Sequence, residues 1–247
     1  MAPKEIGKIN KAEFGNIMTK RKAYLVTILP DVQSAPKEYA EKIGRYWQAV
    51  DDQISQLESK AGTVKKILVE GVIGRGADAE LMLKQSTPSA LRIIRSRTSS
   101  GAILESYEDQ ELFEQMIDFG RCLQIGLISK SVSDMIVTKY QEIAEQRLNY
   151  QKKIVDEVVL ENEALLLLGS NTQNTLPSDF EKFFISPPEL DEISRWINEN
   201  NKTLNSSNQE ADQKSETKQS SEQPTSTMDV DLIVTDGVKQ PSDQPTG

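Results

Sequence analysis

Continuous apolar runs alternate along the chain with stretches in which apolar residues recur every three or four positions. Residues 22–29, KAYLVTIL, are β-branched and apolar and end at the prolines of PDVQSAP, which predicts a buried strand. Residues 37–60 show the helical period, with Pro36 suited to a first turn and Gly62 just past the end. The run KKILVEGV at 65–72 predicts a second buried strand. This order predicts two parallel strands joined by a right-handed crossover.

Helical spacing dominates the middle of the chain. Residues 78–85 predict a short helix, and Pro88 is placed to start the next one. Another helix is predicted within 107–127, from five apolar residues at helical spacing: Leu112, Phe113, Met116, Ile117 and Leu123. The longest helix is predicted over 133–161, with Ser133 as its cap.

Two more apolar runs and a final helix complete the pattern. EALLLLGS at 163–170 predicts a third strand, and FEKFFISPP at 180–188 predicts a fourth that prolines end. Residues 188–200 predict an amphipathic closing helix. The predicted fold class is α/β, with a small, mainly parallel sheet of about four strands packed with long amphipathic helices. We assign residues 22–200 to a single domain, after an N-terminal extension over 1–21 that we expect to be partly flexible.

Residues 201–247 differ in composition from the rest. They contain no aromatic residue and are rich in Ser, Thr, Gln, Asn and acidic side chains. Because so little apolar surface cannot offset the entropy of ordering, we predict a disordered, polar and acidic tail. Its one apolar run, Val230 to Val234, can add as a strand to the sheet edge of a partner. Chance apolar residues in a flexible tail are the simpler interpretation.

The charge balance bears on partners and location. The net charge is −9, which disfavours nucleic acid, because affinity for phosphates comes mainly from Lys and Arg. No run approaches the roughly 20 apolar residues of a membrane-spanning helix, and the first residues lack the apolar core of a signal peptide. We predict a cytoplasmic protein that binds neither nucleic acid nor membrane. A protein partner, a second copy of the chain and a small anionic ligand stay open.

The chain contains no histidine and one cysteine, Cys122. The absence of histidine removes Ser-His-Asp and Cys-His nucleophiles and every histidine proton shuttle. A single cysteine excludes an intrachain disulfide and a multi-cysteine zinc site. We predict no metal site, the sequence indicates no particular cofactor, and Cys122 is expected to be a packed residue.

The stretch KILVEGVIGRGADAE, residues 66–80, ends a predicted strand in three glycines and then begins a helix. Backbone N–H groups at such a place can bind an anion, which gives four candidate ligand-binding residues: Gly71, Gly74, Arg75 and Gly76. However, Ala77 and Asp78 stand where a phosphate-binding loop needs Lys and then Ser or Thr. The favoured interpretation is therefore a sharp turn.

Two residues are candidate catalytic residues. Glu70 ends the second predicted strand, where sites in parallel sheets form. Arg147 falls in the apolar register of the longest helix, so it needs an acceptor, and the predicted topology brings Glu70 near it. A structural salt bridge is the alternative interpretation of this pair.

Two further charged sets are weaker candidates. Four arginines are candidates for an anion-binding cluster: Arg75, Arg92, Arg95 and Arg97. Four acidic residues are candidates for acid–base work or a Mg²⁺ site: Glu105, Glu108, Asp109 and Asp118. A solvated face is the ordinary interpretation of the arginines, and the acidic residues fall on a loop and at outer helix positions, where such residues are common.

The order of these features resembles the layout of the TraB-like and haem-binding ChaN-like α/β families and of bacterial proteins near them. The resemblance rests on ILVEG at a strand end, a helical middle, and EIAEQRLNYQKKIVDEVV running into ALLLLGS. It implies matched roles for Glu70, Arg147 and Gly169. Those families carry a histidine shortly after that glycine, whereas this chain has GSNTQNTLP, so the resemblance does not extend to their hydrolase or metal chemistry.

Two functions follow as alternatives. The first is a protein- or ligand-binding module without a full catalytic set, which the missing histidine and failed nucleotide motifs favour. The second is an enzyme that acts on a small anionic molecule through Glu70 and Arg147. An open cleft between these two residues favours the second, and a filled sheet end would exclude it.

Overall fold

The structure is a computed structural model that describes residues 20–29, 31, 35–170 and 172–200. Its sheet has five strands: β1 (Lys22–Val26), β2 (Val64–Val69), β3 (Ile103–Leu104), β4 (Ala164–Leu168) and β5 (Glu181–Ile185). They lie in the order β3-β2-β4-β1-β5, and every pairing is parallel. Six α-helices are described: α1 (Lys37–Ala61), α2 (Gly76–Ser86), α3 (Pro88–Ser99), α4 (Gln110–Gln124), α5 (Lys130–Val158) and α6 (188–200). A 3₁₀ helix spans Thr172–Thr175.

Helix α1 forms because its apolar residues share one stripe, while charged residues fill the other face. The buried stripe is Tyr39, Ile43, Tyr46, Trp47, Val50 and Ile54. Pro36 stands just before the first helical residue, and Gly62 follows the last one with a φ of 126°. The strands β1 and β2 that flank this helix are parallel, as predicted, and β4 lies between them.

Alternate residues of the strands face opposite sides of the sheet and contribute to two cores. On one side, α1, α3 and α6 cover a set of strand residues: Tyr24, Val26, Ile67, Val69, Leu166 and Leu168. On the other side, the C-terminal part of α5 covers a second set: Ala23, Leu25, Leu68, Leu165 and Leu167. Burial on both faces explains why these strands read as continuous apolar runs. The predicted α/β class is confirmed.

Two details differ from the prediction. The sheet has a fifth strand, β3, whose two residues are too short to show any periodicity, and Ile103 is 51% exposed at the sheet edge. The longest helix begins at Lys130, and its cap is Ser129, whose hydroxyl accepts the N–H of Val132. Ser133 is wrong as the cap because its own N–H already donates to the Ser129 carbonyl in the first turn.

The described elements up to Ile197 belong to one compact unit. Within the described ranges, no helix has the length and apolarity needed to cross a bilayer. Most of the predicted N-terminal extension and all of the predicted tail, including Val230 to Val234, lie outside the described residues.

Candidate ligand-binding site

The carboxyl ends of β2 and β4 bring two chain segments together. Glu70 follows β2 directly, and Gly169 and Ser170 follow β4. Because β2 and β4 are adjacent and parallel, these residues meet at one edge of the sheet. The Ser170 N–H donates to Glu70 Oε2 at 2.6 Å, and the Glu70 N–H donates to the Leu168 carbonyl at 2.8 Å. The backbone therefore fixes the Glu70 carboxylate at the strand end.

Arg147 reaches this edge from α5, as its place in the apolar register predicts. Its Nη2 lies 3.3 Å from Glu70 Oε1, and its side chain is only 10% exposed. A second carboxylate holds it more closely, because Arg147 Nε donates to Glu108 Oε2 at 2.7 Å and Nη2 donates to Glu108 Oε1. The Phe113 ring lies 5.5 Å from the guanidinium carbon. The predicted meeting of Glu70 and Arg147 is confirmed, with Glu108 as a third member.

Glu108 lies in a loop, as expected, but it is not an ordinary acidic loop residue. Its side chain is fully buried. Besides the two bonds from Arg147, its carboxylate accepts the N–H of Gly71 at 2.9 Å and the amide of Gln151 at 3.1 Å. These four donors use the acceptor sites of a carboxylate, so Glu108 is satisfied within the chain. We call Glu70, Glu108 and Arg147 the carboxylate–arginine cluster.

Glu108 carries no sequence signal that distinguishes it from its neighbours. Asp109, the next residue, is an ordinary N-cap of α4, since its side chain accepts the N–H of Leu112 at 3.0 Å. Gln151 is a second residue of the site that the sequence analysis did not predict, although it follows Arg147 by one helical turn and therefore shares its face. That spacing was available in the sequence.

Burial and charge set the protonation of this site. Burial alone lowers the pKa of Arg147, but the hydrogen bonds and charges of Glu108 and Glu70 outweigh it, so the pKa is raised and the guanidinium stays charged. Burial also raises the pKa of Tyr107. Its hydroxyl donates to Thr175 Oγ1 at 2.8 Å, and Thr175 in turn donates to the Thr172 carbonyl at 2.7 Å. Tyr107 is thus a neutral, hydrogen-bonded phenol and a poor base at neutral pH.

Gly169 makes room for Glu70. A Cβ at this position would lie 2.6 Å from Thr172 Cγ2 and 2.7 Å from Glu70 Oε2, closer than side-chain atoms approach one another. Only glycine therefore lets the turn after β4 pass beside the Glu70 carboxylate.

A cleft of about 370 Å³ opens beside the carboxylate–arginine cluster. Its lining combines cluster members with polar and aromatic side chains: Glu70, Tyr107, Met116, Tyr140, Ala144, Arg147, Leu148, Gln151, Thr172, Asn174 and Thr175. Five of these belong to one face of α5, at steps of three or four residues. The side chain of Glu70 is 26% exposed, which makes it the more accessible of the two carboxylates.

The glycines after β2 allow the chain to turn sharply, which is the interpretation that the sequence favours. Gly71, Gly74 and Gly76 have φ angles of 79°, 84° and 57°, which other residues rarely adopt. The Gly71 N–H donates to Glu108, and the Gly74 N–H donates to Ser106 Oγ at 3.2 Å. None of the four predicted loop residues lines the cleft beside Arg147. Arg75 and Gly76 lie instead at a separate depression on the β3 side.

The four arginines do not form one cluster, because Arg75 and Arg95 pair with separate carboxylates and only Arg92 and Arg97 share one, Asp51. Arg75 pairs with Glu105 at 3.0 Å, Arg95 with Glu80 at 3.0 Å and Arg92 with Asp51 at 3.6 Å. Arg97 is not on a solvated face: it is buried, and it contacts Asp51, Glu58 and Ser55 of α1.

The remaining candidates lie apart from the cleft. Asp118 is exposed and pairs with Arg121, and Glu105 also pairs with Lys66 at 2.9 Å. Cys122 is half-buried on α4. Within the described ranges, no group of three or more His, Cys, Asp or Glu residues is arranged to hold a metal ion.

Comparisons with known proteins find no match: no family model, curated protein or solved structure matches the chain. The resemblance to the TraB-like and ChaN-like families stays a prediction. Where those families have their histidine, this chain uses the Ser170 backbone to hold Glu70, and Thr172 lines the cleft.

Proposed function

We propose that this protein is a ligand-binding α/β protein whose cleft takes a small polar molecule beside Glu70 and Arg147. The observation that carries the proposal is their contact, 3.3 Å between Arg147 Nη2 and Glu70 Oε1, at the wall of an open cleft of about 370 Å³. Small-molecule sites are concave and hold a few fixed polar groups, and in parallel sheets they lie beyond the carboxyl strand ends.

Binding is favoured over catalysis by how fully the polar groups are held. Glu108 receives four donors, and Arg147 is gripped by two carboxylates. Tyr107 and Thr175 are fixed to each other. Such a set is preorganised for recognition, because little side-chain freedom remains to be lost on binding. Tyr107, with its raised pKa, is also poorly suited to accept a proton.

An enzyme is the second candidate, and two observations favour it: Glu70 and Arg147 meet in an open cleft, which is the arrangement expected of an enzyme from the sequence, and Glu70 is partly exposed. Its carboxylate lines the cleft with 26% of the side chain accessible, and among the described residues each oxygen accepts one hydrogen bond, so each can accept another. A carboxylate so placed can accept a proton from a bound ligand.

A thermal-shift screen of the full chain against nucleotides, metal salts and metabolites tests ligand binding. A true ligand at a hundred times its Kd stabilises the fold by about 2.7 kcal/mol, which raises Tm by several degrees. If no compound in the screen raises Tm, the ligand-binding proposal is contradicted.

Glycine variants then locate the site. Gly169→Ala places a Cβ against Glu70 and Thr172, and we expect it to weaken binding of any hit at least tenfold. Gly44→Ala in α1 is the control, because its Cβ meets nothing within 4 Å. Equal affinity in both variants would place the ligand elsewhere. Mass spectrometry of the hit after incubation separates the two functions, since conversion that Glu70→Gln abolishes would favour the enzyme.

A further inference from the structure

The balance of charge in the cleft indicates which ligand it takes. The carboxylate–arginine cluster contains two carboxylates and one guanidinium. Arg147 is the single basic residue among those that line the cleft in the described part of the chain. The cluster therefore carries one net negative charge, in a site where burial strengthens electrostatic interactions.

Arg147 has little left to offer an anion. Its Nε and Nη2 already donate to Glu108 and Glu70. For Nη1, the one acceptor among the described residues is the sulfur of Met116 at 3.7 Å, and thioether sulfur is a weak acceptor. From Arg147, an incoming carboxylate or phosphate would gain only the Nη1 group while meeting two like charges. A neutral oxygen can take the same bond without that repulsion.

Glu70 offers the complementary group. Its Oε1 accepts from Arg147 and its Oε2 from Ser170, so each oxygen can accept a further bond. Tyr107 and Tyr140 add aromatic rings to the lining, and the faces of such rings attract cations. The amide nitrogen of Gln151 is used by Glu108, which leaves its oxygen as another acceptor. Glu70 and Gln151 thus give the cleft acceptor oxygens that a protonated amine can use.

We propose that the ligand carries a protonated amine, bound at Glu70, and a neutral oxygen acceptor that takes the open Nη1 donor of Arg147. This inference rests on the proposed function, because it names the chemical class of the ligand of the same cleft. It replaces the small anion of the sequence prediction by an amino alcohol or a related small amine with no net negative charge.

Four compounds of similar size test the ligand class: 4-amino-1-butanol, butylamine, 1-butanol and butanoate. Titration of the ¹⁵N-labelled full chain is followed at the Ser170 amide, which donates to Glu70, with the Gly74 amide, which donates to Ser106, as the control signal. We expect the amino alcohol to shift Ser170 at the lowest concentration, butylamine to need more, and butanoate to have no effect. The Gly74 signal should stay in place.

Affinity measurements on two variants test whether the charge of Glu70 binds the amine. Glu70→Gln removes the charge with little change of shape, and we expect at least a tenfold loss of amino alcohol affinity. Glu192→Gln is the matched control, because Glu192 also pairs with an arginine, Arg45, at 3.2 Å on the surface. Equal affinity in the two variants overturns the inference, and the wild-type titration decides the matter if Glu70→Gln does not fold.

The outcomes separate the two proposals. Binding of butanoate at Ser170 without binding of the amines overturns the amine inference and leaves the ligand-binding proposal standing. A Ser170 signal that none of the four compounds moves overturns the amine inference, and only the broader thermal-shift screen then decides the ligand-binding proposal. Saturable shifts by both amines alone support the two together.

Discussion

Arg97 and Arg147 are both buried arginines held by two carboxylates, yet they do different things. Arg97 lies on α3 and contacts Asp51 and Glu58 of α1, so it joins two helices that cover the same face of the sheet. Arg147 contacts Glu70 and Glu108, which lie outside regular elements at the carboxyl edge of the sheet beside a cleft. A buried ion pair therefore does not identify a site by itself, and its place on the sheet is what distinguishes the two.

The carboxylates also differ in exposure. The side chains of Asp51 and Glu58 are 23% and 18% exposed, whereas that of Glu108 is fully buried. Water can rehydrate the first pair if the arginine is lost, but it cannot reach Glu108. We therefore expect arginine-to-methionine substitutions at positions 97 and 147 to lower the free energy of unfolding by different amounts.

Arg147→Met should have the largest effect. It leaves the Glu108 charge buried without a counter-charge, which costs about 3–5 kcal/mol. We expect that decrease in the free energy of unfolding, measured by urea denaturation at neutral pH.

The double variant Arg147→Met with Glu108→Gln is the control. Because it removes the stranded charge, it should recover at least about 1 kcal/mol relative to the single variant. A double variant that is less stable than the single one would show that the stranded charge is not the cause.

Arg97→Met should cost less, about 1–3 kcal/mol, because its carboxylates regain hydration. Urea denaturation gives the stability, and the titration with 4-amino-1-butanol should be unchanged, since Arg97 does not line the cleft. If Arg97→Met lowers the free energy of unfolding as much as Arg147→Met does, the exposure of the carboxylates does not determine the cost.

Asp179→Asn should have the smallest effect and shows how an exposed pair behaves. Arg21 Nε donates to Asp179 at 2.7 Å, and this hydrogen bond lowers the pKa of Asp179, whose side chain is 54% exposed. A folded-state pKa below the unfolded one gives stability that is present above the unfolded pKa and is lost as pH falls through the folded pKa. Solvent screening keeps the contribution below about 1 kcal/mol.

We therefore expect wild type to have a slightly higher Tm than Asp179→Asn at pH 7, and the two curves to converge in acid, below the ordinary aspartate pKa of about 3.9. Thermal denaturation from pH 2 to 7 measures this. A difference that grows toward acid pH would have the wrong sign.

Burial explains why the sequence predicts both the α/β class and the contact between Glu70 and Arg147. Strands buried on both faces leave continuous apolar runs, and an arginine in an apolar register must find an acceptor. The predicted topology brings the strand-end residue Glu70 near Arg147, and this contact forms, although Glu108 in a loop holds Arg147 more closely.

Three other features of the structure have no recognisable pattern in the sequence. Glu108 lies in a loop, where acidic residues are usual, and its burial depends on α5 crossing above it. The two residues of β3 are too few for a period. Arg97 looked like one of several surface arginines because the carboxylates that bury it are about 40 residues away.

Helix α4 contributes one residue, Met116, to the lining of the cleft. Glu70 at the sheet edge, which also lines the cleft, is held by a backbone hydrogen bond, and no residue of α4 is fully buried. After α4, Ile125 is 73% exposed and Ile128 fully exposed before α5 begins. Helix α4 packs along α5, the helix that carries Arg147, and Met116 of α4 lies 3.7 Å from Arg147 Nη1. Amide exchange along α4 will therefore report whether a ligand bound in the cleft tightens the packing of these two helices.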